Sequence, residues 1–273
     1  MAAPWLSVIV NTYNRAAFLR NCLEGYLRQT AGGFEIVVAD DGSTDGTAEV
    51  VASFAARAPF AVRHVWHEHQ GHRRAAILNK GIAAAQAPYV LFTDADSIPA
   101  ADLVAMHQRH REPRRMLIGG CVRLTAEQTA GLEPTAVARG EHERFLDRRW
   151  RRRLWLKHLK NCWQIWIRKK RRPHNLGLNY SVAREHLLAI NGYDEDYRGW
   201  GNADGDVRRR LRMIGVEPKS ACHRAIVFHQ HHPPDPTRTP EIRARNQALS
   251  RRPDIPAYCA RGLDQHLQPV GAS

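Results

Sequence analysis

The sequence predicts an α/β protein built on a mostly parallel sheet that helices cover on both faces. Three observations support this prediction. The runs WLSVIV, FEIVVA and YVLFT are apolar throughout and alternate with stretches of helical pattern. Strands without a polar face are typical of parallel sheets that are buried between helix layers. The polar turns NTYNR, DDGS and TDAD follow these strands, at the edge where open parallel sheets bind ligands.

Each element is predicted from its local pattern. Strands are short apolar runs, and helices are longer stretches in which apolar residues recur every three to four positions. The segment after the last strand is Pro-rich and charged, so it is expected to wrap the surface or to be partly disordered. The predicted strands are residues 5–10, 34–39, 89–93 and 225–228, and the predicted helices are 17–29, 48–56 and 77–85.

The composition narrows the class of protein. Lys and Arg outnumber Asp and Glu by 41 to 27, a net charge of +14 that favours anionic partners such as nucleotides, nucleic acid or acidic membranes. The five cysteines are scattered and form no C-x-x-C pair, which argues against a disulfide framework or structural zinc and fits a reducing cytosol. The amino terminus lacks a basic region before its short apolar run, and no later run could cross a bilayer. A soluble or peripheral cytoplasmic protein is expected.

Two carboxylates one residue apart, Asp94 and Asp96, end the apolar run YVLFTDADS. Strand side chains repeat every two residues, so both carboxylates should lie on one face. Polar turns and helix caps also use Asp in this way, and such a turn is the alternative interpretation. Carboxylate oxygens suit Mg²⁺ or Mn²⁺, which proteins hold together with substrate phosphates. The pattern predicts metal-assisted chemistry on a phosphate-containing substrate.

Residues 144–172 predict a basic amphipathic helix that is rich in Trp. This composition is typical of a helix on anionic lipid, or of a groove for an acidic polymer. The alternative is a helix that packs on the sheet through its Trp face and exposes its basic face. The sequence favours neither. The apolar residues of the pattern are Phe145, Trp150, Leu154, Leu159, Trp163 and Trp166.

Seven ordered segments resemble the inverting glycosyltransferases of family 2, which have the GT-A fold. They stand as SVIVNTYNR, VVADDGSTDGT, HEHQGHRRAAILNKGI, YVLFTDADS, HNLGLNYSVARE, NGYDEDYRGWGNADGDV and VFHQHHP. The resemblance implies one GT-A domain over residues 1–235 followed by a C-terminal extension, 236–273. Within the domain it implies a nucleotide-binding half (1–100), a poorly matching insert (125–172) and an acceptor and catalytic half (173–235).

The resemblance also implies roles for individual residues. Tyr13 and Asp40 are expected to hold the nucleobase, and Arg73 to reach towards the diphosphate. The D-x-D pair is expected to bridge ribose and metal, with His229 completing the metal shell. Asp204 is the expected base that deprotonates the acceptor hydroxyl. The full expected set is Thr12, Tyr13, Arg15, Asp40, Arg73, Asn79 and Asp94 for the nucleotide; Asn179, Gly199, Trp200, Gly201 and Asp204 for sugar and acceptor; and Asp96 and His229 for metal.

The segment GWGNADGDV departs from the family at one position, because Ala203 stands where the first acidic residue is expected. A contact to sugar or acceptor is therefore missing, and Asp206, one turn further along, is the alternative base. Trp200 lies between glycines that permit close approach, which favours a platform for a sugar ring. Asp41 is expected to cap the turn that follows it.

Histidines cluster in two places. His64, His67, His69 and His72 raise the alternative of a zinc site, although their irregular spacing without Cys favours a loop on the substrate side. Near His229, the two histidines of the run HQHHP are expected to be solvated loop residues, although the second also matches a family position. These two residues are His231 and His232.

The resemblance implies an inverting glycosyltransferase that depends on Mn²⁺ or Mg²⁺. The donor is expected to be a nucleotide sugar, UDP-linked, with galactose or N-acetylgalactosamine ahead of glucose or N-acetylglucosamine. The acceptor is expected to be a glycan or a lipid-linked molecule. An anionic membrane surface at the inner face is one of the two expected partners of residues 144–172, the other being the sheet of the protein itself. Alternatives are a basic nucleic-acid-binding module and a metal-dependent nucleotidyltransferase. No recognition motif for nucleic acid is present, so nucleic acid is not expected as a partner.

Overall fold

The computed structural model describes residues 3–174 and 177–267, in which strands and helices alternate. The strands are β1 (Leu6–Thr12), β2 (Phe34–Asp40), β3 (Val62–Trp66), β4 (Tyr89–Asp94), β5 (Ser97–Pro99), β6 (Arg115–Ile118), β7 (Gly120–Arg123), β8 (Tyr180–Ala183), β9 (Glu217–Ser220) and β10 (Ile226–His229). The helices are α1 (Ala16–Leu27), α2 (Thr47–Ala55), α3 (Arg74–Ala84), α4 (Leu103–His110), α5 (Ala126–Ala130), α6 (Pro134–Ala138), α7 (Arg148–Trp166), α8 (Arg184–Ala189), α9 (Ala203–Met213) and α10 (Pro240–Arg251). Short 3-10 helices lie at Glu141–Phe145 and Leu263–His266.

A central sheet has the strand order β3-β2-β1-β4-β8-β6-β9. The first four strands of this order run parallel, β8 runs antiparallel to both its neighbours, and β9 is parallel to β6. A smaller sheet has the order β5-β10-β7. This mostly parallel sheet with flanking helices confirms the predicted fold class. It also brings the carboxyl ends of β1, β2 and β4 to one edge.

Alternate residues of the central strands face two separate helix layers. Val8 and Val10 of β1 pack with residues of α1 and α2, whereas Ile9 packs with residues of α3 and α9. All three are fully buried, which explains why both faces of the strand carry apolar residues. A third apolar cluster forms where the small sheet meets α6 and α7. Its members include Ile98, Val122, Val137, Leu154 and Phe228.

The structure corrects two expectations about elements. The basic segment is not one helix over 144–172, because Asp147 caps α7 by accepting from the Trp150 amide, and α7 ends at Trp166. The C-terminal segment also contains ordered structure. It contributes α10, and Leu263 is fully buried in the same cluster as α3. Residues 268–273 lie outside the described residues.

His107 of α4 gives a testable link between burial and pH. Its imidazole is buried between Ser181 Oγ, 2.8 Å from Nδ1, and Asn179 Oδ1, 3.0 Å from Nε2. Burial lowers its pKa to about 4, although the contact with Asn179 acts in the opposite direction. The neutral ring donates from one nitrogen and accepts at the other, so the folded protein holds it uncharged.

We expect the free energy of unfolding to fall as the pH is lowered from 6.5 towards 4. In this range the unfolded chain protonates His107 and the folded chain does not, which costs on the order of 3 kcal/mol. His107→Gln should lose less stability between pH 7 and pH 5 in urea unfolding. The exposed His231→Gln is the control. Equal acid sensitivity of His107→Gln and the parent protein would contradict the expectation.

Candidate active site

Polar side chains from three strand ends converge at the edge formed by β1, β2 and β4. The D-x-D turn after β4 is tied to β1, because the Ala95 amide donates to the Asn11 carbonyl at 2.8 Å. Asn11 Nδ2 also lies 3.5 Å from Asp94 Oδ1. The turn therefore has a fixed position at the sheet edge.

One arginine links the D-x-D pair to the expected base. Arg74, the first residue of α3, places Nη2 at 3.2 Å from Asp94 Oδ1 and Nη1 at 3.2 Å from Asp204 Oδ1. Burial acts to lower the pKa of Arg74, but Asp204 and Asp94 outweigh it and hold that pKa well above its usual value. Burial raises the pKa of Asp94, against the opposing charge of Arg74 and with the help of Asp96 and Asp204. Arg74 thus holds the two carboxylates in one cleft.

Asp204 lies in the first turn of α9, at the floor of this cleft. The Tyr193 hydroxyl donates to its Oδ1 at 3.0 Å, and the Tyr180 hydroxyl contacts that of Tyr193 from the core side. A Cβ at Gly177 would stand 2.5 Å from Asp204 Oδ2, so only glycine leaves room for the carboxylate. The side chain keeps 28% of its exposure, so an acceptor can reach it.

Asp206, the alternative base, does not face the cleft. Its carboxylate is buried and accepts from Arg210 Nε at 2.6 Å. Arg210 is itself fully buried and donates to the carbonyls of Ile190 and Gly192. Through Arg210 this ion pair joins α9 to the preceding loop, so Asp206 faces away from the cleft, as its position one turn further along the helix had indicated.

Asp96, His229 and His232 form a candidate metal centre. His229 Nε2 lies 3.5 Å from Asp96 Oδ1, and His232 Nε2 lies 3.0 Å from Asp96 Oδ2. One ligand atom from each residue lies within 4.8 Å of the other two. One carboxylate and two imidazoles form a donor set that suits Mn²⁺, so these residues fit the expected ion. The position of His232 in this centre corrects the expectation that it is a solvated loop residue.

The same contacts set the charge of the centre. Burial acts to raise the pKa of Asp96, but His232, His229 and the Ser97 hydroxyl outweigh it and lower that pKa. The hydrogen bond with Asp96 in turn raises the pKa of His232. Asp96 therefore stays ionised beside its two histidines, as a metal ligand must be.

The expected nucleobase residues lie at the ends of β1 and β2, but each already has a protein partner. The Tyr13 ring stacks on His69 with a centroid distance of 4.1 Å. Asp40 is buried; its Oδ1 accepts from the Ser43 amide and hydroxyl, and its Oδ2 lies 3.0 Å from His64 Nε2. Burial acts to raise the pKa of Asp40, but these hydrogen bonds outweigh it and lower that pKa. A nucleobase that hydrogen-bonds to Asp40 must displace one of these contacts.

Three other residues were expected to bind the nucleotide, namely Thr12, Arg15 and Arg73, and each lies in a different environment. Thr12 ends β1, with its hydroxyl buried and without a hydrogen-bond partner among the described residues. Arg15 precedes α1 and places Nη2 at 3.2 Å from His232 Nδ1, beside the metal centre. Arg73 instead donates to the Glu68 carbonyl at 2.7 Å. Arg74, not Arg73, contacts the D-x-D pair.

The structure corrects the expectation that Asn79 and Asn179 contact ligands, because both side chains are buried. Asn79 is fully buried, donates to the Tyr193 carbonyl and Glu195, and accepts from the Tyr193 amide. Asn179 is also fully buried; it donates to the carbonyls of Gly120 and Ala225 and contacts His107. Both amides are committed to the fold. The segment HNLGLNYSVARE also contains residues 175 and 176, which lie outside the described residues.

The GWG loop is covered by the C-terminal segment. A Cβ at Gly199 would come within 2.8 Å of Ile242 of α10, so this position requires glycine. Trp200 is partly exposed, its amide donates to Thr237 Oγ1 at 3.0 Å, and the Arg238 guanidinium lies over its ring. Asn246 donates to the Gly201 carbonyl at 3.1 Å. The segment 235–251 therefore fixes the loop that was expected to bind the sugar.

Asp41 and the four clustered histidines are structural. Asp41 does not cap the next turn; its Oδ2 instead accepts from the amide of Arg73, the residue that precedes α3. Its Oδ1 lies 2.6 Å from His67 Nε2. The four histidines have different partners: His64 pairs with Asp40, His67 and His69 with Asp41, and His72 with Asp235. In the described parts of the chain they form no zinc-type cluster.

The chain matches the sequence profile described as Glycosyl transferase family 2 over residues 7–171, more than half of its length. The chain belongs to glycosyl transferase family 2. A second profile, described as N-terminal domain of galactosyltransferase, matches residues 157–233 of this family 2 chain. The two matches confirm the resemblance and the enzyme class predicted from the sequence.

Two similar curated proteins carry the names of glycosyltransferases. The validoxylamine A glucosyltransferase of Streptomyces hygroscopicus subsp. jinggangensis is 30% identical over an alignment of 239 positions that covers 78% of this chain and 52% of the relative. A PGL/p-HBAD biosynthesis glycosyltransferase of Mycobacterium bovis is 39% identical over 106 residues, 38% of this chain and 41% of that protein. The chain spans about half the length of the first of these relatives.

Solved structures confirm the GT-A fold of the family 2 chain. The mannosyltransferase PcManGT from Pyrobaculum calidifontis, in complex with GDP-Man and Mn²⁺, aligns with a TM-score of 0.62 at 22% identity. The alignment covers 94% of this chain and 66% of that one. S. aureus TarS 1–349 in complex with UDP-GlcNAc aligns with a TM-score of 0.54 at 17% identity, covering 85% and 60%.

Sequence reasoning missed three residues of the cleft. Arg74 and Tyr193, which both contact Asp204, lie in quoted motifs but were not singled out. His232 did carry a signal, since it matched a family position. A motif shows which segments belong to the site, but the direction of each side chain depends on where its helix or loop begins.

Proposed function

We propose that this chain is an inverting glycosyltransferase that moves a sugar from a nucleoside-diphosphate donor to a hydroxyl of an acceptor. One observation carries the proposal: Arg74 binds both Asp94 of the D-x-D pair and Asp204. The residues that bind the donor and the general base thereby lie in one cleft. A nucleotidyltransferase would need the paired carboxylates but not Asp204.

Asp204 acts as the general base. The acceptor oxygen attacks the anomeric carbon while its proton passes to the Asp204 carboxylate, and the bond from that carbon to the diphosphate breaks with its electron pair. Attack opposite the leaving group turns an α-linked donor into a β-linked product. The Tyr193 hydroxyl and the Arg74 guanidinium contact the Asp204 carboxylate and orient it for this proton transfer.

Asp96, His229 and His232 would hold the divalent cation. When bound, Mn²⁺ or Mg²⁺ supplies positive charge that stabilises the departing diphosphate. Arg74, which contacts Asp94, and Arg15, which contacts His232, add positive charge for the donor phosphates. Asp94, Thr12 and Tyr13 at the strand ends are the proposed contacts to ribose and base.

The donor class is proposed to be UDP-linked, with galactose or N-acetylgalactosamine ahead of glucose or N-acetylglucosamine. The match to the galactosyltransferase profile over residues 157–233 supports the first pair. The similarity to a protein named as a glucosyltransferase supports the second. We propose a glycan or lipid-linked acceptor and a location in the cytoplasm.

A donor panel tests the proposal. The purified chain is incubated with Mn²⁺ or Mg²⁺ and with UDP-, dTDP- and GDP-sugars, and slow release of free nucleoside diphosphate is followed without acceptor. Release from one donor is expected, and it should be absent in Asp96→Ala but kept in Asp254→Ala, a change of an exposed aspartate. If no donor is hydrolysed and no nucleotide raises the melting temperature in the presence of metal, the proposal fails.

A further inference from the structure

Helix α7 presents most of its large apolar side chains to solvent, although Leu154 and Trp150 pack in the third apolar cluster. Its buried residues are Leu154, Asn161 and Gln164, so two of the three that pack inward are polar. Asn161 Nδ2 lies 3.3 Å from the Ser220 hydroxyl of β9. On the outward side the exposed large side chains are Trp155, Leu156, Leu159, Trp163 and Trp166.

These five residues form one stripe. A helix turns by about 100° per residue, which places the stripe opposite Leu154 and within a sector of roughly 100°. Trp166 is 80% exposed and Trp163 is 53% exposed. This arrangement excludes the interpretation that the helix packs on the sheet through its Trp face. An ordinary surface helix buries its apolar stripe, so this stripe requires another partner.

Basic residues lie along one side of the stripe and beyond both of its ends. No acidic side chain occurs within α7. The exposed basic residues are Arg148, Arg149, Arg151, Arg152, Arg153, Lys160, Arg168, Lys169, Lys170, Arg171 and Arg172. A polyanion in water would pair with these charges but would leave three Trp and two Leu side chains in solvent. An anionic bilayer surface binds the apolar and the basic residues together, because Trp rings insert at the headgroup level while Lys and Arg pair with lipid phosphates.

We propose that α7 with the basic segment 168–172 docks this protein on the surface of an anionic lipid bilayer. Among the described residues no helix has the length and hydropathy that spanning a bilayer requires, so the contact is peripheral. Arg208 donates to the Pro173 carbonyl at 2.6 Å, and Arg212 to the Lys169 carbonyl at 3.0 Å. Both arginines lie on α9, the helix that carries Asp204. The docking surface is therefore fixed to the catalytic half.

Flotation with lipid vesicles tests the inference and requires no donor, so it is independent of the proposed activity. Vesicles of phosphatidylcholine with about a third phosphatidylglycerol should capture the chain, and pure phosphatidylcholine should capture at least tenfold less. Replacing Leu159, Trp163 and Trp166 together by Ser should weaken capture by roughly tenfold or more. Trp66→Ser is the matched control, because Trp66 is also 53% exposed but lies on β3. Capture should survive that change.

The charged component is tested in the same way. Lys169→Gln, Lys170→Gln and Arg171→Gln together should weaken capture, by roughly fivefold per charge at low salt. The control changes the exposed Arg20, Arg109 and Arg243 to Gln, with the same loss of charge elsewhere. Three outcomes overturn the inference: equal loss in the control sets, capture by RNA that ignores the apolar changes, or a dimer in light scattering that the apolar variant converts to monomer.

Discussion

Replacing Asp204 by Asn should lower the rate of sugar transfer by roughly a hundredfold to ten-thousandfold, the range that a general base contributes. Asn has nearly the same size, and its amide oxygen can still accept from Tyr193 and Arg74, so the cleft should keep its shape. What is lost is the ability to take the proton. The measurement is kcat and KM for donor and acceptor, with donor affinity followed separately by calorimetry. We expect kcat to fall while donor affinity changes little.

Two further variants separate chemistry from folding. Asp206→Asn removes one charge of the buried pair with Arg210 and should lower the melting temperature, while the folded fraction keeps its kcat. Tyr193→Phe removes one hydrogen bond to Asp204 and should lower kcat less than Asp204→Asn does. Undiminished transfer by Asp204→Asn would rule out this base. A large loss of donor affinity in the same variant would point to a binding role instead.

The fold could be predicted because its central strands are buried on both faces. Such strands are nearly continuous apolar runs, and that pattern is visible in residues 5–10, 34–39 and 89–93. The position of the D-x-D pair at a strand end follows from the same pattern. The short strands β5 to β9 were not predicted, because three or four residues carry no periodicity.

Individual side-chain directions could not be predicted. The sequence pattern predicted that α3 begins at residue 77, whereas the helix begins at Arg74. Each further residue of a helix rotates the direction of the side chain by about 100°. This is why Arg74, and not Arg73, reaches the carboxylates. Asn79 and Asn179 show a related limit. A sequence motif does not distinguish a buried side-chain amide that connects loops from one that binds a ligand.

The orientation of α7 was open for a simple physical reason. An amphipathic pattern shows that one side of a helix is apolar, but it does not show whether that side faces the core or solvent. The deciding contacts are those of Asn161 and His158 with Ser220, which turn the polar side of the helix inward. Nothing near residue 220 in the sequence indicates that a helix from the insert packs there.

Loss of the divalent cation should abolish transfer, and the histidines of the run HQHHP provide an internal control. His229 and His232 contact Asp96, whereas His231 between them points to solvent. His229→Ala and His232→Ala should each weaken Mn²⁺ binding at least tenfold, since even partners of metal ligands typically contribute 10- to 100-fold. His231→Ala should leave Mn²⁺ binding unchanged. Calorimetric titration of Mn²⁺ and the Mn²⁺ dependence of transfer measure both effects.

The comparison between His231 and His232 is decisive because the two residues are adjacent. A change in loop stability would affect both variants alike, whereas loss of a ligand affects only His232→Ala. Equal weakening by both variants would therefore contradict the proposed centre, as would normal Mn²⁺ binding by Asp96→Ala. If Asp96→Ala abolishes Mn²⁺ binding but His232→Ala does not, the His232 imidazole instead orients Asp96 by its hydrogen bond. Asp96 would then bind the cation with His229 alone.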